Sequence, residues 1–155
     1  MRLNNIKKAF LVSAALLSAM SMSAAERFVS FKQGDLLING NDKVEIYMDA
    51  NDCRGVSYAA NALVKDIRNV SGSQATITSN HKATILVGTI GHSAAIDQLV
   101  KQKRINGNLL KGKREKFIIT VVDNQLVIAG SDRRGTIYGI YELSQQMGVS
   151  PWYDW

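Results

Sequence analysis

Gly130-Ser131-Asp132-Arg133-Arg134-Gly135-Thr136-Ile137-Tyr138-Gly139-Ile140-Tyr141 reads as a strand end, a helix N-terminus and a close-packed helix in one continuous stretch. Val127-Ile128-Ala129 supplies the apolar strand before it. Asp132 is placed to accept hydrogen bonds from the first N–H groups of the helix. Gly135 and Gly139 stand four apart on one helix face, in line with Leu143. A glycine inside a helix costs about 1 kcal/mol against alanine, so something should compensate. The expected compensation is close approach of the helix backbone to a sheet, with Ile137, Ile140, Tyr141 and Met147 filling the flanks. The competing use of that space is room for a ligand at the helix start. This helix is predicted over residues 134–147, ending at Gly148.

Upstream, short strands alternate with helices. Residues 36–38 and 44–48 read as strands separated by the turn Asn39-Gly40-Asn41-Asp42. Asn51 and Asp52 are candidate caps for a helix whose apolar positions, Val56, Ala60, Leu63, Ile67 and Val70, form one stripe. Gly72 is its expected terminator. Residues 75–78 and 84–87 are the next strands, the second apolar on both faces as a covered central strand would be. Gly88-Thr89-Ile90-Gly91 reads as a turn. Ser93 then caps a helix with Ile96, Leu99 and Val100 inward and an Asp97–Lys101 pair outward. Residues 105–116 are a polar, Gly- and Lys-rich connection, and residues 117–122 and 126–129 form a hairpin around Asp123-Asn124-Gln125. The resulting expectation is one layered α+β or α/β domain, a mixed β-sheet with about three helices.

Residues 1–25 have the make-up of a secretory signal peptide: a basic start (Arg2, Lys7, Lys8), an apolar run, and Ser23-Ala24-Ala25 before Glu26. The apolar run is shorter than a membrane span, so no membrane attachment is expected once it is cleaved. The chain is expected to be exported, to a periplasm or outside the cell, with one folded domain over residues 26–150. Its formal charge of +6 comes from nineteen basic and thirteen acidic residues. Three basic residues leave with the signal, so the mature excess is +3. The main basic cluster, residues 101–104 and 111–116, contains no aromatic, which argues against nucleic acid as a partner. Cys53 is alone, so no internal disulfide forms.

Chemistry-bearing patterns are sparse. Asp132 takes the place an anion would occupy at its helix start, which weighs against a phosphate site despite Arg133 and Arg134. Gly88-Thr89-Ile90-Gly91 lacks the third glycine of a dinucleotide loop. His81 and His92, eleven apart, have no cysteine or carboxylate at ligand spacing. No serine sits in a nucleophile elbow and no pair of acids stands out as a catalytic couple. No cofactor or metal is expected. Three of the eleven aromatic residues fall in the last four positions, in Pro151-Trp152-Tyr153-Asp154-Trp155. Such bulk calls for a packing partner the chain does not contain. Residues 151–155 are therefore expected to begin a linker to a further domain.

With these residues in place, the chain resembles the N-terminal domain of glycoside hydrolase family 115, the xylan α-1,2-glucuronidases. The likeness runs through Asp49-Ala50-Asn51-Asp52, Gly55-Val56, Ala59-Ala60-Asn61-Ala62-Leu63, Asp66-Ile67 and Val70-Ser71-Gly72. It continues through Ile85-Leu86-Val87-Gly88-Thr89-Ile90-Gly91 and Lys111-Gly112-Lys113-Arg114-Glu115. It is sharpest from Val127 to Gly139 and from Gly148 to Tyr153. A looser Arg-Gly-x-x-Tyr-Gly helix is shared with the domains preceding the barrels of hexosaminidases and family 67 glucuronidases. The resemblance implies a secreted enzyme removing glucuronic acid or its 4-O-methyl ether from glucuronoxylan without a cofactor. It places the catalytic carboxylates in a following (β/α)₈ barrel, so no catalytic residue is assigned here. Asp132, Arg133, Arg134, Trp152, Tyr153 and Trp155 are the expected contacts with that barrel. The alternative is a free-standing carbohydrate-binding module, with the terminal aromatics as its stacking platform.

Overall fold

The computed structural model describes residues 43–150 together with Val29. The expected signal peptide, the strand at 36–38 with its turn, and the aromatic residues 151–155 lie outside them. The chain runs β1 (Lys43–Met48), α1 (Arg54–Ser71), β2 (Gln74–Thr78), β3 (Ile85–Thr89), α2 (Ala94–Lys101) and a 3-10 turn (Gly107–Leu109). It closes with β4 (Phe117–Val122), β5 (Gln125–Gly130) and α3 (Arg133–Gln146). The strands form one sheet in the order β2-β1-β3-β5-β4. β2, β1, β3 and β5 are parallel, and β4 is antiparallel to β5 at the edge. Among the described residues this is the expected mixed sheet with three helices.

Alternation along each strand sorts the core into two layers. Val44, Ile46, Ile85, Val87 and Ile128 point to the face covered by α1 and α3. Tyr47, Leu86, Val127 and Ala129 point to the face covered by α2 and the segment after it. β3, at the centre, is buried along its whole length, as its unbroken apolar run requires. Leu63, Ile67, Ile85, Ile128 and Ile140 have no exposed surface. Each such side chain contributes roughly 1.5–3 kcal/mol by leaving water.

α1 buries the predicted stripe from Val56 to Ile67. Val70 departs from it, 39% exposed on the last turn. Gly72 ends the helix with φ 73°, and its N–H bonds Arg68 O at 3.0 Å. Arg68 in turn sends Nε and Nη2 to the Ala75 carbonyl, tying the helix end to β2.

The hairpin loop is two residues long rather than three. Asp123 and Asn124 both have positive φ, 50° and 63°. That is the mirror-image turn whose twist suits a hairpin, and it leaves Gln125 in β5. The connection over residues 105–116 is also less polar in role than its composition suggests. Ile105 and Leu110 are buried in the α2-side core.

The two glycines of α3 do what their spacing predicts. A Cβ on Gly135 would lie 2.2 Å from the Lys116 carbonyl oxygen. One on Gly139 would lie 2.7 Å from Ile128 Cγ2 and 3.2 Å from Phe117 Cβ. The helix backbone therefore rides directly on β4 and β5, and packing rather than a ligand uses the space.

Candidate functional site: a cleft at the carboxyl edge of the sheet

All four parallel strands end on one edge of the sheet. β1 and β5 lead there into helices on one face, while β3, between them, leads into α2 on the other. The crevice opened by such diverging connections is where ligands bind in open α/β sheets. Here it is a solvent-open cleft of about 410 Å³, lined by Cys53, Ile90, His92, Ser131, Asp132, Arg133 and Arg134.

Three aspartates build this edge, each holding two backbone N–H groups. Asp49, buried after β1, accepts from Asn51 at 3.0 Å and from Ala94, the first residue of α2, at 3.0 Å. Asp52 accepts from Cys53 at 2.7 Å and from Thr89, the last residue of β3, at 2.7 Å. Asp132 caps α3 through Gly135 N–H at 2.8 Å and holds Glu115 N–H, just before β4, at 2.8 Å. The Asn51 and Ala94 N–H groups hold the Asp49 carboxyl below the ordinary range despite its burial. Those of Gly135 and Glu115 do the same for Asp132, with Arg114 adding to the effect.

Two expected caps are thereby reassigned. Asp52 does not cap α1; Cys53 takes the N-cap position, with no side-chain bond to the helix. The cross-link to Thr89 is invisible in sequence because the partner lies 37 residues away. Ser93 sits at the N-cap of α2, but its buried hydroxyl has no hydrogen-bond partner, and Asp49 serves the helix instead. Asp97 turns back to accept from Gly91 N–H at 2.8 Å rather than reaching outward to Lys101. Gly88 and Thr89, expected in a turn, complete β3.

The basic residues divide into engaged and unengaged. Arg134 pairs with Glu115 at 3.0 Å, and its guanidinium also meets the hydroxyl and ring of Tyr138. These contacts raise the already high affinity of Arg134 for its proton, the Tyr138 hydroxyl most of all. Arg133 is exposed and has no hydrogen bond, ion pair or ring contact among the described residues. Its stem lies against Gly55 at the start of α1.

Of the expected interface residues, the fold brings Asp132, Arg133 and Arg134 together at the cleft. Trp152, Tyr153 and Trp155 lie outside the described residues and follow the opposite end of α3. The 14 residues of that helix span about 21 Å. Cys53, Ile90 and His92 complete the cleft. Sequence reading missed them because they come from separate loops, and only the diverging strand connections could have signalled their meeting. His81 is elsewhere, its ring 4.4 Å from that of Tyr47. Among the described residues, no three His, Cys, Asp or Glu side chains are grouped to hold a metal ion. None of the helices there is long and apolar enough to cross a membrane.

Comparison with known proteins follows the fold. Residues 38–143 match the sequence family described as glycosyl hydrolase family 67 N-terminus. Among solved structures, the chain is similar to "A novel family GH115 4-O-Methyl-alpha-glucuronidase, BtGH115A, with specificity for decorated arabinogalactans". The two are 37% identical with a TM-score of 0.67, over 74% of this chain and 15% of that one. It is also similar to CpGH84D, at 12% identity and TM-score 0.54, over 70% of this chain and 18% of the other, which speaks for the fold alone. The chain thus spans less than a fifth of the length of either. No curated protein matches it. With the family match covering the whole sheet, both core layers and most of α3, this chain belongs to the glycosyl hydrolase family 67 N-terminus family.

Proposed function

We propose that this chain is the non-catalytic N-terminal accessory domain of an exported family 115 glycoside hydrolase. That enzyme would remove glucuronic acid or 4-O-methylglucuronic acid side chains from xylan. The observation that carries the reading is the 37% identity to a 4-O-methyl-α-glucuronidase over 74% of this chain. The carboxylates of the site support a non-catalytic role. Glycoside hydrolysis requires two carboxyl groups free to exchange protons or attack at the scissile bond. Asp49, Asp52 and Asp132 are each committed to two backbone N–H groups instead. The domain's part is to seat a catalytic barrel, through the aromatic residues that follow α3. The relative is described as specific for decorated arabinogalactans; xylan as the polymer here rests on the sequence resemblance.

The decisive experiment assays glucuronic acid release from glucuronoxylan and from aldouronic acids. Purified residues 26–155 should release none, and a longer product of the same gene that includes a barrel should release it. Robust release by residues 26–155 would overturn the accessory reading, and an inactive barrel-containing protein would overturn the glucuronidase reading.

A further inference from the structure

We propose that the cleft at the carboxyl edge is a binding site for a uronate, a sugar ring bearing a carboxylate. The identity of the sugar rests on the glucuronidase reading above; the carboxylate and the ring are argued from the cleft itself.

The arginines carry the charge argument. Among those described, Arg54 lies over the Tyr58 ring at 5.4 Å, and Arg68 bonds the Ala75 carbonyl. Arg104 pairs with Asp123, and Arg134 is held by Glu115 and Tyr138. Only Arg114 and Arg133 have no hydrogen bond, ion pair or ring contact among the described residues. Of the two, Arg133 lines the cleft. Asp132 lines the cleft too, but among the described residues it makes no ion pair with Arg133. The ligand group that suits Arg133 is a carboxylate, which a planar guanidinium grips through two parallel N–H bonds.

The rest of the lining fits a ring rather than a bare ion. Ile90 and the half-buried Cys53 offer apolar surface to the C–H face of a sugar. Ser131 Oγ accepts from Lys116 N–H at 2.9 Å, which leaves its own proton free for a sugar hydroxyl. His92 is a second polar group of the lining. A volume of about 410 Å³ lies in the range of small-molecule sites, roughly 300–1,000 Å³. Inorganic phosphate would satisfy Arg133 but make no use of Ile90 and Cys53.

The test is an amide-shift titration of the purified chain by NMR at fixed ionic strength. The ligands are D-glucuronate, neutral D-xylose and inorganic phosphate. Glucuronate should shift Cys53, Ile90, His92 and Ser131 saturably, at least tenfold more tightly than xylose or phosphate. Arg133→Gln should weaken glucuronate at least tenfold, Arg133→Lys less, and the distant Arg104→Gln not at all. Unperturbed shifts elsewhere show that each variant is folded. Absence of saturation, equal affinity for xylose or phosphate, or an Arg133→Gln variant that binds normally would each overturn the proposal. Because the readout is binding, its failure alongside an active barrel-containing enzyme would leave the glucuronidase reading standing.

Discussion

Gly135→Ala adds a single methyl group where α3 crosses the start of β4. Its Cβ would lie 2.2 Å from the Lys116 carbonyl oxygen, more than 1 Å inside normal van der Waals contact. That oxygen is not free to turn away, because it accepts the Ser131 N–H at 2.8 Å. The first turn of α3 must lift instead, which strains the cap from Asp132 to Gly135 N–H. Overpacking of this kind costs about 1–3 kcal/mol. Weakening the cap adds about 1 kcal/mol. Alanine returns about 1 kcal/mol through its better helix propensity. The net expectation is a loss of roughly 1–3 kcal/mol. Gly55→Ala is the matched control, since its Cβ would meet only movable side-chain atoms, Ile137 Cδ1 at 3.3 Å and Arg133 Cδ at 3.4 Å. That variant should be neutral or gain up to about 1 kcal/mol. Urea unfolding reads both as shifts in midpoint at constant m. A Gly135→Ala midpoint at or above the parent's would refute the close-approach account of the α3 glycines.

Other outcomes follow from the same features. The folded carboxyls of Asp49 and Asp132 are lowered, so their contribution is fully present above the ordinary carboxylate pKa of about 4. It is lost as pH falls through the folded values. Asp49→Asn and Asp132→Asn should therefore be less stable than the parent at neutral pH and converge with it in acid, as followed by thermal melts across pH. A constant gap at all pH values would refute the assignment. N-terminal sequencing of the exported protein should begin at Glu26 or within a few residues, and intact Met1 on soluble cytoplasmic protein would count against export. Both tryptophans lie in residues 152–155, so acrylamide quenching reports on that segment alone. Strong quenching is expected in this chain and protection in a barrel-containing protein. Protection already present in this chain would remove the support for a barrel contact there.

Periodic features were legible from sequence, and features resting on distant partners were not. The α1 stripe, the doubly apolar β3 and the glycine spacing of α3 each encode their own surroundings within a few residues. The Asp132 cap was readable for the same reason, its partner being three residues away. Asp49 and Asp52 were not, since Ala94 and Thr89 lie 45 and 37 residues off. Ile105 and Leu110 read as part of a polar connection because isolated apolar residues among lysines and glycines carry no period. The cleft shares that difficulty: Arg133 and Arg134 were noted for their position at a helix start, but Cys53, Ile90 and His92 join them only through the topology.

The bond from Asp49 to Ala94 has a consequence for the order in which the molecule opens. α2 has only 8 residues, fewer than an isolated helix needs to persist in water. Its first turn depends on a carboxylate from the loop between β1 and α1, across the sheet edge, because the Ser93 hydroxyl does not serve it. Hydrogen exchange in α2 is thereby linked to the integrity of a loop that precedes it by more than forty residues. In neutral solution the two should exchange together, as one cooperative unit. In acid the tie is released while the apolar contacts of Ile96 and Ala95 remain, so the amides at the start of α2 should lose protection before those of α1 or β3.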